Sequence, residues 1–393
     1  MKDFLLLIVG AFLGYLPILI PLINKKIQNS KRKKREKYLN PSYIYNWILE
    51  YYKRKNSLKE LFQTEINQQT LILPFLTKDN WNYFQKVGID IDHDLKYFDD
   101  RRKFPVNHSL ISKKIKLNQK IFNEPTLYID QVVENNNTIL LEVKKCDYFE
   151  MITAIGQLEE ETLNAIKRSK FNDLPIRDNL LSSCDSAVRL HKYPFSVGCV
   201  ILLAFQTKNG FEVLIQRRSS ETATYGGYKS VIPSYGLSPM PSNNKGLSLF
   251  FYNFIKEFAE ELYDYEELIQ HMSAKRGDML WFIDIEEIKD LIDSFAQNSS
   301  DLIYTGFGID VLNATNTLSY LCLIKDEGLI SKIKSRIKGS WEVESSNEDL
   351  ALEFFDIEDS NLIEQIINKN FHFGSAFSIL RGVEYLKKLK NNV

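Results

Sequence analysis

Cysteine is scarce in this chain of 393 residues, and its four copies (Cys146, Cys184, Cys199 and Cys322) form no C-x-x-C pair. This spacing excludes a disulfide scaffold and a zinc ribbon, which need closely spaced pairs, and favours a reducing compartment. Internal repeats are also absent. Hydrophobic residues make up 44% and charged residues 26% of the chain, a balance that excludes wholesale disorder and predicts a folded protein of about two domains.

Net charge is small, at −1, but the charge is unevenly distributed along the chain. Residues 1–38 hold nine Lys or Arg against two Asp or Glu, so the rest of the chain carries a net charge of −8. Binding to nucleic acid requires cationic side chains that neutralise phosphates. We therefore expect no direct binding of this acidic body to a nucleic-acid duplex.

One long hydrophobic run is present at the start of the chain, from Phe4 to Ile23, without a charged residue. Twenty such residues are enough to cross a bilayer as a helix, so we predict a transmembrane anchor over residues 1–24. The basic cluster of the linker 25–40 follows the run, which argues against a cleaved signal peptide and predicts a cytoplasmic body. The predicted location is the inner (cytoplasmic) membrane, with a single pass. Gly10 and Gly14 form a G-x-x-x-G step that predicts a homo-oligomer through this helix face.

Residues 41–189 predict a mixed α+β region to which no motif assigns a role. Alternating residues over 126–132 and 138–143 predict a β-hairpin, and helical spacing resumes over 147–170. An acidic cluster in this region is more typical of a solvated loop, with a metal site as the alternative. Its members are Asp90, Asp92, His93, Asp94, Asp99 and Asp100.

The C-terminal half contains the pattern with chemical content. A buried strand over 196–205, the turn Asn209-Gly210 and a second strand ending at Arg217 and Arg218 predict a hairpin. A helix over 247–269 follows, and at about 100° per residue Glu257, Glu260 and Glu261 fall on one stripe beside an aromatic stripe. Three neighbouring carboxylates repel one another, so the stripe favours a Mg²⁺ or Mn²⁺ site. A solvated acidic face is the alternative.

The hairpin followed by the helix K-E-F-A-E-E resembles a Nudix hydrolase domain over residues 190–393. The resemblance implies an α/β protein whose C-terminal domain is an α/β/α sandwich with a mixed sheet. It further implies that Glu257, Glu260 and Glu261 are catalytic metal ligands, and that Lys256, Arg217 and Arg218 bind phosphate. The family's two glycines and its isolated glutamate are replaced here by Ser242, Tyr263 and Ser248. A ligand-binding module without hydrolysis is therefore an open alternative.

The predicted chain consists of an anchor, a middle region and a divergent Nudix domain, in that order. This arrangement resembles the transmembrane–Nudix effectors of bacterial CBASS antiphage systems. That resemblance implies activation by a cyclic nucleotide made by a CD-NTase, followed by cell death or growth arrest. A membrane-tethered Nudix hydrolase of nucleoside-diphosphate-linked substrates is the first alternative. A structural membrane protein with an inert Nudix-like body is the second.

Overall fold

The computed structural model describes residues 41–391 except for several short segments. These exceptions are residues 67, 91, 93, 117–118, 120, 136–137, 190–192, 220–221, 223–224, 242–245, 266–279, 341–342, 344–351 and 368–370. The predicted anchor Phe4–Ile23 with its Gly10 and Gly14 face, and the linker 25–40, lie outside the described residues.

Helices and strands alternate along the described chain. The helices are α1 (Pro41–Arg54), α2 (His108–Ile115), α3 (Tyr148–Lys167), α4 (Pro175–Leu180), α5 (Cys184–Ala187), α6 (Leu249–Glu257), α7 (Glu286–Ala296), α8 (Glu327–Arg336), α9 (Ser360–Ile367) and α10 (Phe373–Asn391). The strands are β1 (Leu61–Ile66), β2 (Gln69–Leu76), β3 (Gln85–Lys86), β4 (Leu95–Arg101), β5 (Pro125–Asn135), β6 (Thr138–Asp147), β7 (Val197–Thr207), β8 (Gly210–Arg217), β9 (Lys229–Val231), β10 (Ser234–Gly236), β11 (Ser300–Asp310), β12 (Asn316–Ile324) and β13 (Leu352–Asp356).

The predicted fold class and inner-membrane location need correction. Within the described residues, no helix combines the length and the apolar character needed to cross a membrane. The reason is visible in the two long helices: α3 contains three consecutive glutamates, and α10 interleaves lysines and a glutamate with its apolar residues. What the described residues form is a mixed α/β structure with two mixed sheets.

Within the described ranges, the larger sheet has ten strands in the order β1-β2-β11-β12-β7-β8-β13, with β3, β9 and β10 pairing alongside β11, β8 and β7. Strands β7 and β12 are parallel, whereas their other neighbours are antiparallel. The predicted hairpin between β7 and β8 is confirmed, since Thr207 pairs with Gly210. Because β1, β2 and β3 belong to the same sheet as the C-terminal strands, the sheet crosses the predicted domain boundary at residue 190.

Strand β7 is buried on both faces, which is why its sequence is a continuous apolar run. Successive side chains of a strand point to opposite faces. Ile201 and Leu203 therefore join the hydrophobic core that includes α6, whereas Leu202 and Ala204 join the core that includes α10. Both faces of the sheet are covered by helices, so the sheet positions α6 rigidly.

The smaller sheet, β4-β6-β5, contains the predicted middle hairpin, which is confirmed by pairing of Asn135 with Thr138. It is fastened to the larger sheet near β10. The backbone N–H of Leu127 and the hydroxyl of Thr126 both donate to the carbonyl of Leu237, at 3.0 and 3.2 Å. The start of β5 is therefore held directly beside the larger sheet.

The acidic cluster of the middle region supports the fold. The carboxylate of Asp92 accepts hydrogen bonds from the backbone N–H groups of Leu249 and Phe250, at 2.7 and 2.9 Å, and so stabilises the first turn of α6. Asp94 is buried and accepts from the Tyr83 hydroxyl at 2.6 Å. Asp99 and Asp100 form ion pairs with lysines of β6, and His93 lies outside the described residues. These contacts favour a structural role over a metal site.

Candidate functional site

Helix α6 carries the glutamate stripe and ends sooner than predicted. Ser248 caps its start by accepting a hydrogen bond from the backbone N–H of Phe251 at 3.1 Å. The aromatic face is buried, with Phe254 fully inaccessible. After Glu257 the helix widens into a π turn over Phe258–Leu262. The wider turn changes the angle between successive side chains. The helical projection at about 100° per residue therefore does not apply to Glu260 and Glu261.

Lys256 lies between two of the three glutamates. Its Nζ contacts Glu257 Oε1 at 3.2 Å and Glu260 Oε2 at 2.9 Å. Burial alone would lower the pKa of Lys256, but the two carboxylates outweigh burial and raise this pKa above its ordinary value. The repulsion expected among the glutamates is thus relieved by a side chain of the same helix.

Glu261 accepts hydrogen bonds from the backbone of strand β10. It is only 5% exposed, and both of its carboxylate oxygens accept from the backbone N–H of Ser234, at 3.2 and 3.3 Å. The carbonyl of Ser234 in turn accepts a long hydrogen bond of 3.5 Å from Arg218 Nη1. Strand β10 therefore positions both Glu261 and the Arg218 guanidinium.

These residues do not fit a preformed divalent-metal site. Among the described residues, no group of three or more His, Cys, Asp and Glu side chains is arranged to hold a metal ion. The ammonium group of Lys256 lies against Glu257 and Glu260, where an ion bound by both would have to lie. The Mg²⁺ or Mn²⁺ cofactor stays a prediction from the sequence.

A cavity of about 490 Å³ gathers most of the predicted site residues. Glu257, Glu260, Glu261, Lys256 and Arg218 all line it. Arg217 is the exception: it is exposed on β8 and is not among the residues that line the cavity. Successive residues at the end of the strand therefore separate, and of the three predicted phosphate-binding residues Arg218 and Lys256 line this cavity.

Two further groups of residues that line the cavity had no signal in the sequence. One group is apolar, comes from β5, α3 and the segment before β5, and includes Ile121, Phe122, Pro125, Met151, Ile152 and Ile155. The other is rich in hydroxyl groups, from Thr126, Ser196, Thr222, Ser234, Ser238, Thr315, Thr317 and Ser340. The middle region, to which the sequence assigns no role, thus forms part of the candidate site.

Tyr235 lines the cavity, but its hydroxyl group points into the protein interior and is not accessible from the cavity. Its Oη is buried and has no hydrogen-bond partner of good geometry among the described residues, although it lies near the thiol of Cys199. Burial raises the pKa of Tyr235 and that of Cys199 well above their ordinary values, so both groups stay protonated.

His372 lines the cavity and forms a group with the buried residues Tyr225 and Asp310. The Tyr225 hydroxyl donates to Asp310 at 2.6 Å, and His372 Nε2 is 3.8 Å from the same carboxylate. Burial raises the pKa of Asp310 to about 7. Burial, with a smaller effect of Arg218, lowers the pKa of His372 to about 3. His372, which lines the cavity, is therefore a neutral imidazole at ordinary pH.

No protein-family model matches this chain, and its comparison with curated proteins finds no significant match. The comparisons name no family. The resemblances to Nudix domains and to antiphage effectors therefore stay predictions from the sequence.

Proposed function

We propose that the cavity is a receptor site for a nucleotide with few phosphate charges, such as a cyclic nucleotide, and that the protein binds this ligand without hydrolysing it. One observation carries the proposal. Arg218, several hydroxyl-bearing residues and several apolar residues line the same cavity, while Lys256 and the backbone N–H of Ser234 contact the glutamates. Guanidinium and hydroxyl groups recognise phosphate and sugar, and an apolar wall accepts a base.

The charge of the cavity favours a ligand with few phosphates. Among the described residues, four glutamates line it, namely Glu124, Glu257, Glu260 and Glu261, against the cations Arg218 and Lys256. A terminal diphosphate would bring several negative charges towards this excess of carboxylates, whereas each phosphodiester brings one. A cyclic nucleotide is therefore accommodated better than a nucleoside diphosphate. The volume, about 490 Å³, lies within the ordinary range for small-ligand sites.

Arg218 and Arg217 provide a matched pair of variants to test this proposal. Calorimetric titration of the full chain with cyclic mono-, di- and trinucleotides, in EDTA, should identify a ligand that binds without metal. Arg218→Gln should then weaken binding about 10- to 150-fold, because one charge-assisted hydrogen bond to phosphate is lost. Arg217→Gln removes the same charge outside the cavity and should change affinity less than about threefold. Failure of every nucleotide to bind, or equal losses in both variants, would refute the receptor proposal.

A receptor of this kind accords with the resemblance to the effectors of CBASS antiphage systems. In that role the protein would respond to the cyclic nucleotide of such a system. Cells that express the chain together with a cyclic-nucleotide synthase should arrest growth. Arg218→Gln should prevent the arrest at equal protein level, and Arg217→Gln should not. Arrest that persists in the Arg218 variant would separate toxicity from the cavity.

A metal-dependent hydrolase is the second candidate, and one observation favours it: all three glutamates of the Nudix-like motif line one cavity. The test is release of product from nucleoside-diphosphate-linked compounds in the presence of Mg²⁺ or Mn²⁺. Turnover that Glu260→Gln abolishes, with the fold intact, would place the hydrolase ahead of the receptor. We expect no turnover, because Lys256 lies against two of the carboxylates.

A further inference from the structure

We infer that the ring of Phe122 stacks on the base of the ligand, so that the cavity selects compounds bearing a nucleobase over sugar phosphates alone. This inference rests on the proposed nucleotide-binding function and extends it to a specificity-determining residue. Phe122 is 64% exposed, although it lines the cavity. The other large hydrophobic side chains that are exposed in the described residues (Tyr43, Ile115 and Phe354) do not line it.

The segment that carries Phe122 is fastened on its C-terminal side. The Asn123 side chain accepts a hydrogen bond from the backbone N–H of Phe149 at 3.0 Å. The backbone carbonyl of Glu124 accepts one from the backbone N–H of Tyr148 at 2.9 Å. Both contacts tie the segment to the first turn of α3. The N–H of Leu127 then holds β5 to the larger sheet. Phe122 is therefore presented at the cavity from a fixed backbone, which lowers the entropy lost when a ring stacks on it.

The surroundings of Phe122 indicate a flat, largely apolar ligand group. Ile121 precedes it and Pro125 follows three residues later, and both line the cavity together with Met151 and Ile152 of α3. Arg218, which directly follows β8 of the larger sheet, and Lys256 of α6 also line the cavity. A ligand with a heterocycle at one end and phosphate at the other would contact both sets of residues. A nucleotide has this chemistry, and ribose phosphate lacks its apolar part.

The test compares ligands with and without a base. Stacking of a base on an aromatic side chain predicts a loss of about 5- to 150-fold in affinity for a cyclic dinucleotide in Phe122→Ala. Phe122→Trp, which keeps an aromatic face, should retain affinity within about threefold. Phe354→Ala, which removes an exposed ring outside the cavity, is the matched control and should bind like the wild type. Any binding of ribose 5-phosphate should be unchanged by Phe122→Ala.

The outcomes separate this inference from the proposed function. If the wild type binds a cyclic dinucleotide and Phe122→Ala binds it equally well, stacking is refuted while the receptor site stands. An equal loss for ribose 5-phosphate and for the nucleotide would also refute stacking, because it would indicate a distorted cavity. If the wild type binds no nucleotide in the Arg218 experiment, both proposals fall.

Discussion

Replacement of Lys256 by methionine tests whether this lysine is the cation that holds the glutamate cluster together. Methionine keeps an unbranched apolar stem but removes the ammonium group, which lies 3.2 Å from Glu257 and 2.9 Å from Glu260. The three side chains are 25%, 16% and 17% exposed, so water replaces the lost contacts only in part. Two charge-assisted contacts of this kind, discounted for partial solvation, predict a loss of about 2 to 4 kcal/mol in the free energy of unfolding.

The assay is urea unfolding of four chains: wild type, Lys256→Met, Glu260→Gln and the double variant. Glu260→Gln should destabilise the wild type, because it weakens the pair with Lys256. In the Lys256→Met background the same change should be neutral or stabilising, because it removes repulsion between Glu260 and Glu257. The coupling energy of the cycle should be about 1 to 3 kcal/mol.

Divalent ions provide a second measurement on the same variants. With the ammonium group gone, Mn²⁺ can approach Glu257 and Glu260, so it should stabilise Lys256→Met and leave the wild type unchanged. Saturation at about 100 times the dissociation constant would add about 2.7 kcal/mol. Lys289→Met is the control, since Lys289 is exposed with a carboxylate 3.8 Å away, and it should change stability by less than about 0.5 kcal/mol. The reasoning is refuted if Lys256→Met is as stable as this control and the cycle is additive.

Three further predictions concern stability. Asp310 has a folded-state pKa of about 7, above its ordinary 3.8, so its contribution to stability is full below about pH 4 and lost as pH rises through 7. Between pH 4 and 8, the free energy of unfolding of Asp310→Asn should therefore rise by about 3 to 4 kcal/mol relative to that of the wild type, as measured by urea titrations. A difference between the two proteins that does not change with pH would contradict this. Phe258→Ala should cost about 3 to 5 kcal/mol in thermal or urea unfolding, because its ring is fully buried; a loss below about 1 kcal/mol would contradict that packing. Asp92→Ala should cost about 0.5 to 2 kcal/mol by removing the acceptor for the first turn of α6, whereas Asp79→Ala, at an exposed turn, should cost less.

Local sequence patterns were sufficient to predict several strands and turns around the site. The apolar run of β7, the turn Asn209-Gly210 and the alternation of the middle hairpin each predict a strand or turn that is observed. Such features depend on residues close in the sequence, and a sequence pattern records them directly.

The predicted fold class was wrong because the hydrophobic run Phe4–Ile23 led to the prediction of a transmembrane helix. The described residues form a mixed α/β structure in which no helix could cross a membrane. The π turn after Glu257 was also missed. The backbone of Lys338 and Gly339 donates to the carbonyl of Leu262, so residues more than seventy positions away contact the end of this turn. Helical periodicity contains no record of such distant partners.

The sequence by itself determined which side chains carry charge at the site and which strands and helix present them. Only the tertiary structure decided that Glu261 faces the backbone of Ser234, that Arg217 lies outside the cavity and that Phe122 lies at it. Each of these facts depends on pairing between elements far apart in the chain, such as β5 against the larger sheet at Leu237. Long-range pairing is set by the packing of whole faces and leaves no mark in the spacing of neighbouring residues.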